Sequence, residues 1–165
     1  MDIPADLHEL SALFRRLGAS DPESWARSQL EEGIPQLHRY LWLRQAWRLV
    51  VHEGDTAWMD AQIQHAEARP TDPYAGVGLA LKQCLAQGLD RQLLNDIVRG
   101  MQAEMLTGLA YLLEDPDVAE PELSGVGWGL FATDAEGQPV GPIGGVHESV
   151  LELDPTGRSM RPREA

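Results

Sequence analysis

The stretch from Asp90 to Asp115 constrains this chain most, because it reads as one uninterrupted helix. Taking 100° per residue, Leu94, Ile97, Val98, Met101, Met105, Gly108, Leu109 and Leu112 form a single stripe, which predicts the buried face. Asp90 is placed to cap the start, and Pro116 disfavours helix in the residue before it. At 1.5 Å per residue the rod is roughly 37 Å long, about the width of a small domain, so the remaining segments must pack around it. Gln92, Asp96, Arg99 and Ala103 give its first half a polar back. Leu106, Ala110 and Leu113 make its second half apolar nearly all round. Gly108 costs about 1 kcal/mol of helix propensity against alanine, which predicts a neighbouring backbone passing close to it.

Shorter helices are expected upstream. Leu7, Leu10, Leu13, Phe14 and Leu17 repeat at helical spacing within residues 4–17, before Gly18. Ser20-Asp21-Pro22-Glu23 combines a capping residue, proline and an acid, and starts a second helix that stops at Gly33. A third runs from Ile34-Pro35 to about Glu53, a fourth from Asp55 or Thr56 to about Arg69, and a fifth from Pro73 to Gln87. On the third, Leu37, Tyr40, Leu43, Trp47, Val50 and Val51 make one apolar face, and Arg44 projects into it. Such a charge snorkels to water, pairs with a carboxylate (Glu104 is the candidate) or holds an anion.

The character changes after Pro116. Residues 126–133 suit a strand, Asp134 to Gly137 a turn, and Gln138 to Val140 a short returning strand marked as an edge by Pro139. Residues 141–145 read as a flexible link, and both helix and strand fit 146–153. The fold expected is therefore mainly α: a single-domain bundle of about six helices around a long central helix, with a small C-terminal β-hairpin. Residues 1–115 form the bundle, 116–157 an acidic hairpin and loop unit packed on the same domain, and 158–165 a mobile tail.

Charge carries the functional expectation. The net charge is −13, and residues 114–157 hold ten acidic side chains with no lysine or arginine. A one-signed field speeds association with a basic partner and selects against acidic ones. Nucleic acid and anionic membranes are disfavoured on the same ground. No apolar run approaches the roughly 18 residues that suggest a membrane span, and no secretory leader is visible at the N-terminus. Cys84 is the one cysteine, which excludes an internal disulfide framework and makes a cytoplasmic location the expectation.

Catalytic motifs are missing: there is no phosphate loop, dinucleotide fingerprint, zinc-binding pair of histidines or nucleophile elbow. His52, Glu53, Asp55, Asp60 and His65 match no metal-site spacing, and a second polar cluster gathers His147, Glu148, Glu152 and Asp154. No metal, cofactor or catalytic residue is assigned. The reading is a small acidic protein-binding module, most concretely an inhibitor or immunity-type protein for a basic partner. Its contact residues would be Glu120, Glu122, Trp128, Asp134, Glu136, Glu148, Glu152 and Asp154. Two alternatives stand beside it: a small enzyme or ligand-binding domain with a pocket between helices, using Arg44 for an anion, and a helical domain whose acidity serves solubility alone.

Overall fold

A computed structural model describes residues 3–116 and 118–163 and has six α-helices followed by one two-stranded hairpin. Local signals set most boundaries. α1 (Leu7–Leu17) begins where the Asp6 carboxylate accepts the Glu9 N–H, and ends at Gly18, whose φ of 94° suits only the left-handed region. Pro4 lies outside it. α2 (Pro22–Glu32) is capped by Asp21, which accepts from Ser24, and closes at Gly33. α3 (Gln36–Trp47) stops well short of Glu53, because residues 48–55 turn instead. α4 (Ala57–Ala68) and α5 (Ala75–Ala86) follow, and then α6 (Arg91–Glu114), where Asp90 accepts the Leu93 N–H. Among the described residues no helix is long and apolar enough to cross a membrane.

β1 (Phe131–Thr133) pairs antiparallel with β2 (Pro139–Pro142), with an irregularity between Ala132 and Thr133. Only the end of the strand expected over 126–133 is realised, since β2 offers partners to those residues alone. Residues 146–153 are neither a long helix nor a strand: a single 3-10 turn at His147–Ser149 leads into further turns.

The chain forms two compact units. One comprises the residues up to Trp47 and those from Met105 onward. Its core joins Leu10 and Phe14 of α1, Trp25 of α2, and Leu37 and Tyr40 of α3. The Phe14 and Tyr40 rings meet edge to face at 5.5 Å, and Trp25 and Tyr40 do so at 5.3 Å. The other unit, Arg48–Glu104, packs α4 against α5 around Met59, Leu81 and Leu94, with Cys84 at its margin. Gly78 marks the close approach there, since a Cβ on it would lie 2.2 Å from the Gln62 carbonyl oxygen.

α6 overturns the expected orientation of its faces. Ile97, Met101, Met105, Gly108, Leu109 and Leu112 are exposed, and nothing lies within 4 Å of where a Gly108 Cβ would be. Buried instead are Asn95, Arg99, Ala103, Leu106 and Ala110, the side expected to be polar in its first half; Leu94 alone of the predicted stripe is fully covered. The reason is hydrogen bonding. Asn95 donates to the His52 carbonyl at 3.0 Å and accepts the Trp58 indole N–H at 2.7 Å. Arg99 donates to the Val51 carbonyl, and Gln102 accepts the Val51 N–H at 2.8 Å. The backbone groups left over where α3 gives out are paired by these three side chains. That pairing outweighs the burial of methionines.

Candidate functional site

The acidic C-terminal segment is built into the first unit rather than appended to it. Ala132, Ile143, Val146 and Val150 are buried, and the Trp47 indole N–H donates to the Val150 carbonyl at 2.8 Å. Glu114, the last residue of α6, accepts the N–H groups of Gly145 (2.7 Å) and His147 (3.1 Å) and contacts the His147 ring at 3.0 Å. Burial alone would raise this carboxyl, but the two backbone N–H groups and the imidazole outweigh it and hold it below the ordinary glutamate value. Tyr111 stacks on the His147 ring at 4.1 Å. His147 is thereby a pin between the end of α6 and the 3-10 turn, and the polar cluster of His147, Glu148, Glu152 and Asp154 does not converge on one point.

The proposed contact residues fall into distinct settings. Glu120 and Glu122 lie at a 3-10 turn (Pro121–Leu123), and Asp134 and Glu136 at the hairpin tip; all four are exposed, and none pairs with a cation among the described residues. Asp134 also shapes its turn by accepting the N–H groups of Glu136 and Gln138. Trp128 is 48% exposed, and its indole N–H donates to the Leu112 carbonyl at the end of α6. Leu123, Val126, Phe131 and Val140 add exposed apolar surface in the same segment. Asp154 is different: it is 4% exposed and accepts the N–H groups of Thr156 and Met160. Its carboxylate holds the chain around Pro155–Met160 in place and is withdrawn from the surface.

Glu148 and Glu152 belong to another neighbourhood, organised by Arg39. This arginine, rather than Arg44 further along the same helix, is the charge enclosed in α3: Arg39 is 7% exposed, whereas Arg44 is half-buried. Its Nε and Nη2 both donate to the Gly144 carbonyl. Gly145 has a φ of 68°, and a Cβ on it would lie 2.0 Å from Nη2, so the Gly144–Gly145 pair is the seat of the guanidinium rather than a loose link. Burial pushes the Arg39 pKa below the ordinary arginine value, against the pull of Glu148, Glu114 and Glu152. The sequence reading missed this residue. The two consecutive glycines opposite an arginine-bearing helix were the available signal, since glycine pairs mark places where another group comes close.

Arg39 stands between two clefts. One, of about 580 Å3, is mostly apolar and runs between the start of α3 and the hairpin, past Pro35, His38, Ala132 and Val140. The other, of about 280 Å3, is polar and lies between α2, α3 and the 3-10 turn. In the second unit, the histidines and carboxylates between His52 and His65 are dispersed. Asp60 pairs with Arg91 at 2.6 Å, His65 lies 3.7 Å from Asp72, and Asp55 accepts the Ala57 N–H. Among the described residues no three histidine, cysteine or carboxylate side chains come together to hold a metal ion. Comparison of the chain with protein-family models, with curated proteins and with solved structures gives no match.

Proposed function

We propose that this chain is a cytoplasmic protein-binding module whose C-terminal segment docks on a basic protein, as an inhibitor or immunity-type protein would. The observation that supports this most is Trp128: a half-exposed indole, fixed by its bond to the Leu112 carbonyl, in a segment where Glu120, Glu122, Asp134 and Glu136 pair with no cation among the described residues. A tryptophan held in one orientation loses little entropy on binding, and such residues carry much of the energy of protein interfaces. Unpaired carboxylates in the same segment steer a cationic surface and penalise an anionic one. The same field argues against nucleic acid and acidic lipid as partners.

Deleting residues 116–165 would not test this reading cleanly, because Val146 and Val150 belong to the core. The test is capture of a partner from the native cell by the full chain, beside two surface variants: Trp128→Ala, and Glu120, Glu122, Asp134 and Glu136 all changed to lysine. The partner should be basic, its affinity should fall steeply with added salt, and Trp128→Ala should weaken binding roughly 30-fold or more. Capture undiminished by either variant would refute the reading and leave the acidity to solubility.

A further inference from the structure

The exposed side of α6 carries more apolar surface than a single chain accounts for. Leu93, Ile97, Met101, Met105, Leu109 and Leu112 are each 49–67% exposed on one uninterrupted helix. Together they leave roughly 700 Å2 of mostly apolar surface in water, against about 300–600 Å2 for the largest patch on a typical monomer. Leucines scattered singly over a surface need no explanation, but a continuous row of this size marks an interface.

The spacing of the row selects its occupant. Ile97, Met101, Met105 and Leu109 stand four residues apart, so the run has the same pattern in both directions about Ala103. Side chains at that spacing form a ridge that interdigitates with the same ridge on another helix. A second α6, turned end for end, lays its Leu109 on Ile97 and its Met105 on Met101, and the reverse contacts follow by symmetry. A two-fold interface requires this self-complementarity, whereas an unrelated partner does not. The antiparallel order also brings Glu104 level with Gln102 of the second copy. A parallel order would set Glu104 against Glu104 and Asp96 against Asp96, like charge on like. Gly108 comes level with Val98 of the second copy, and no atom of its own chain lies within 4 Å of where its Cβ would be. The close backbone that the sequence predicts for this glycine is absent within the chain, and a second helix supplies it.

We propose that this face of α6 pairs antiparallel with the same face of a second copy, forming a reversible two-fold homodimer. The area falls short of the roughly 800 Å2 per partner of a standard stable interface, which fits a dimer of micromolar affinity. A net charge of −13 on each copy opposes the pairing, so added salt tightens it by screening the repulsion. Salt acts in the opposite sense on a basic partner held by the Trp128 surface, and neither assignment rests on the other.

The test is sedimentation equilibrium of the full chain from about 1 to about 300 µM, a range that registers micromolar affinity, in about 50 and about 500 mM salt. Flotation with phosphatidylcholine vesicles is run beside it. The mass should rise from one chain to two, with the lower dissociation constant at the higher salt. Met101→Lys with Met105→Lys should weaken pairing roughly 30-fold or more. Below the dissociation constant the row is bare, and there this variant should unfold as the native monomer does. Gly108→Leu meets open space in the single chain and gains helix propensity, so it should fold and yet pair roughly tenfold more weakly or worse. A chain that stays monomeric at the top concentration in both salts overturns the proposal, including one whose α6 face binds vesicles or a different protein instead. So does a dimer that neither variant weakens, a dimer that salt dissociates, or a mass that climbs past two chains.

Discussion

α3 and α6 each carry a run of apolar residues at helical spacing, and the protein treats the two runs oppositely. On α3 the face of Leu37, Tyr40, Leu43 and Trp47 is buried as its spacing predicts. On α6 the comparable run of Ile97, Met101, Met105, Leu109 and Leu112 is left in solvent, and the side bearing Asn95, Arg99, Ala103 and Ala110 is covered. Apolar surface attracts without direction, so it states how much a helix gains by burial and not about which axis it turns. Hydrogen bonds supply the direction. α3 has aromatic neighbours already in place on α1 and α2, whereas the first half of α6 is oriented by the unpaired backbone groups of Val51 and His52. The small Ala103 and Ala110 then cost little to bury.

The largest expected effect comes from removing that direction. Asn95→Leu keeps the branching of the side chain but leaves the His52 carbonyl and the Trp58 indole N–H without these partners, and should destabilise by about 3 kcal/mol in urea unfolding. A loss below about 1 kcal/mol would mean that packing, and not pairing, turns the helix. The other end of α6 should respond less. Glu114→Gln weakens the grip on Gly145 and His147 and should cost about 2 kcal/mol near neutral pH. Because the folded carboxyl titrates below its ordinary value, that stability is fully present above about pH 4.3 and is lost as the pH falls through the lower folded value. The two proteins should therefore converge in acid, and a gap that persists there would deny Glu114 its role. The smallest effect belongs to the exposed stripe. Met101→Lys with Met105→Lys should shift stability by no more than about 0.5 kcal/mol per site, as at other surface positions. A cooperative loss of several kcal/mol would show that this face is covered after all.

What was legible in the residues was local. Asp21 and Asp90 cap helices because each accepts an N–H three residues on, and Gly18 and Gly33 end them because the backbone there has positive φ. Such signals need no knowledge of the rest of the fold. The hairpin turn at Asp134–Gly137 was legible for the same reason, being made by Asp134 bonding its own neighbours. The extent of α3, the rotation of α6 and the enclosure of Arg39 instead of Arg44 each depend on groups far along the chain. Arg39 meets Gly144 across a separation of 105 residues, which no periodicity records.

Gly76 and Gly78 stand two positions apart on α5, yet they place opposite demands on anyone redesigning this chain. At Gly76 nothing lies within 4 Å of an added carbon, so the position is open to substitution and to the gain in helix propensity that alanine brings. At Gly78 the intruding atom would meet the main chain of α4, which cannot swing aside as a side chain does. The spacing of that helix pair is thus written as one missing carbon, and an α5 fitted with any other residue there has to find a new way to lie on its neighbour.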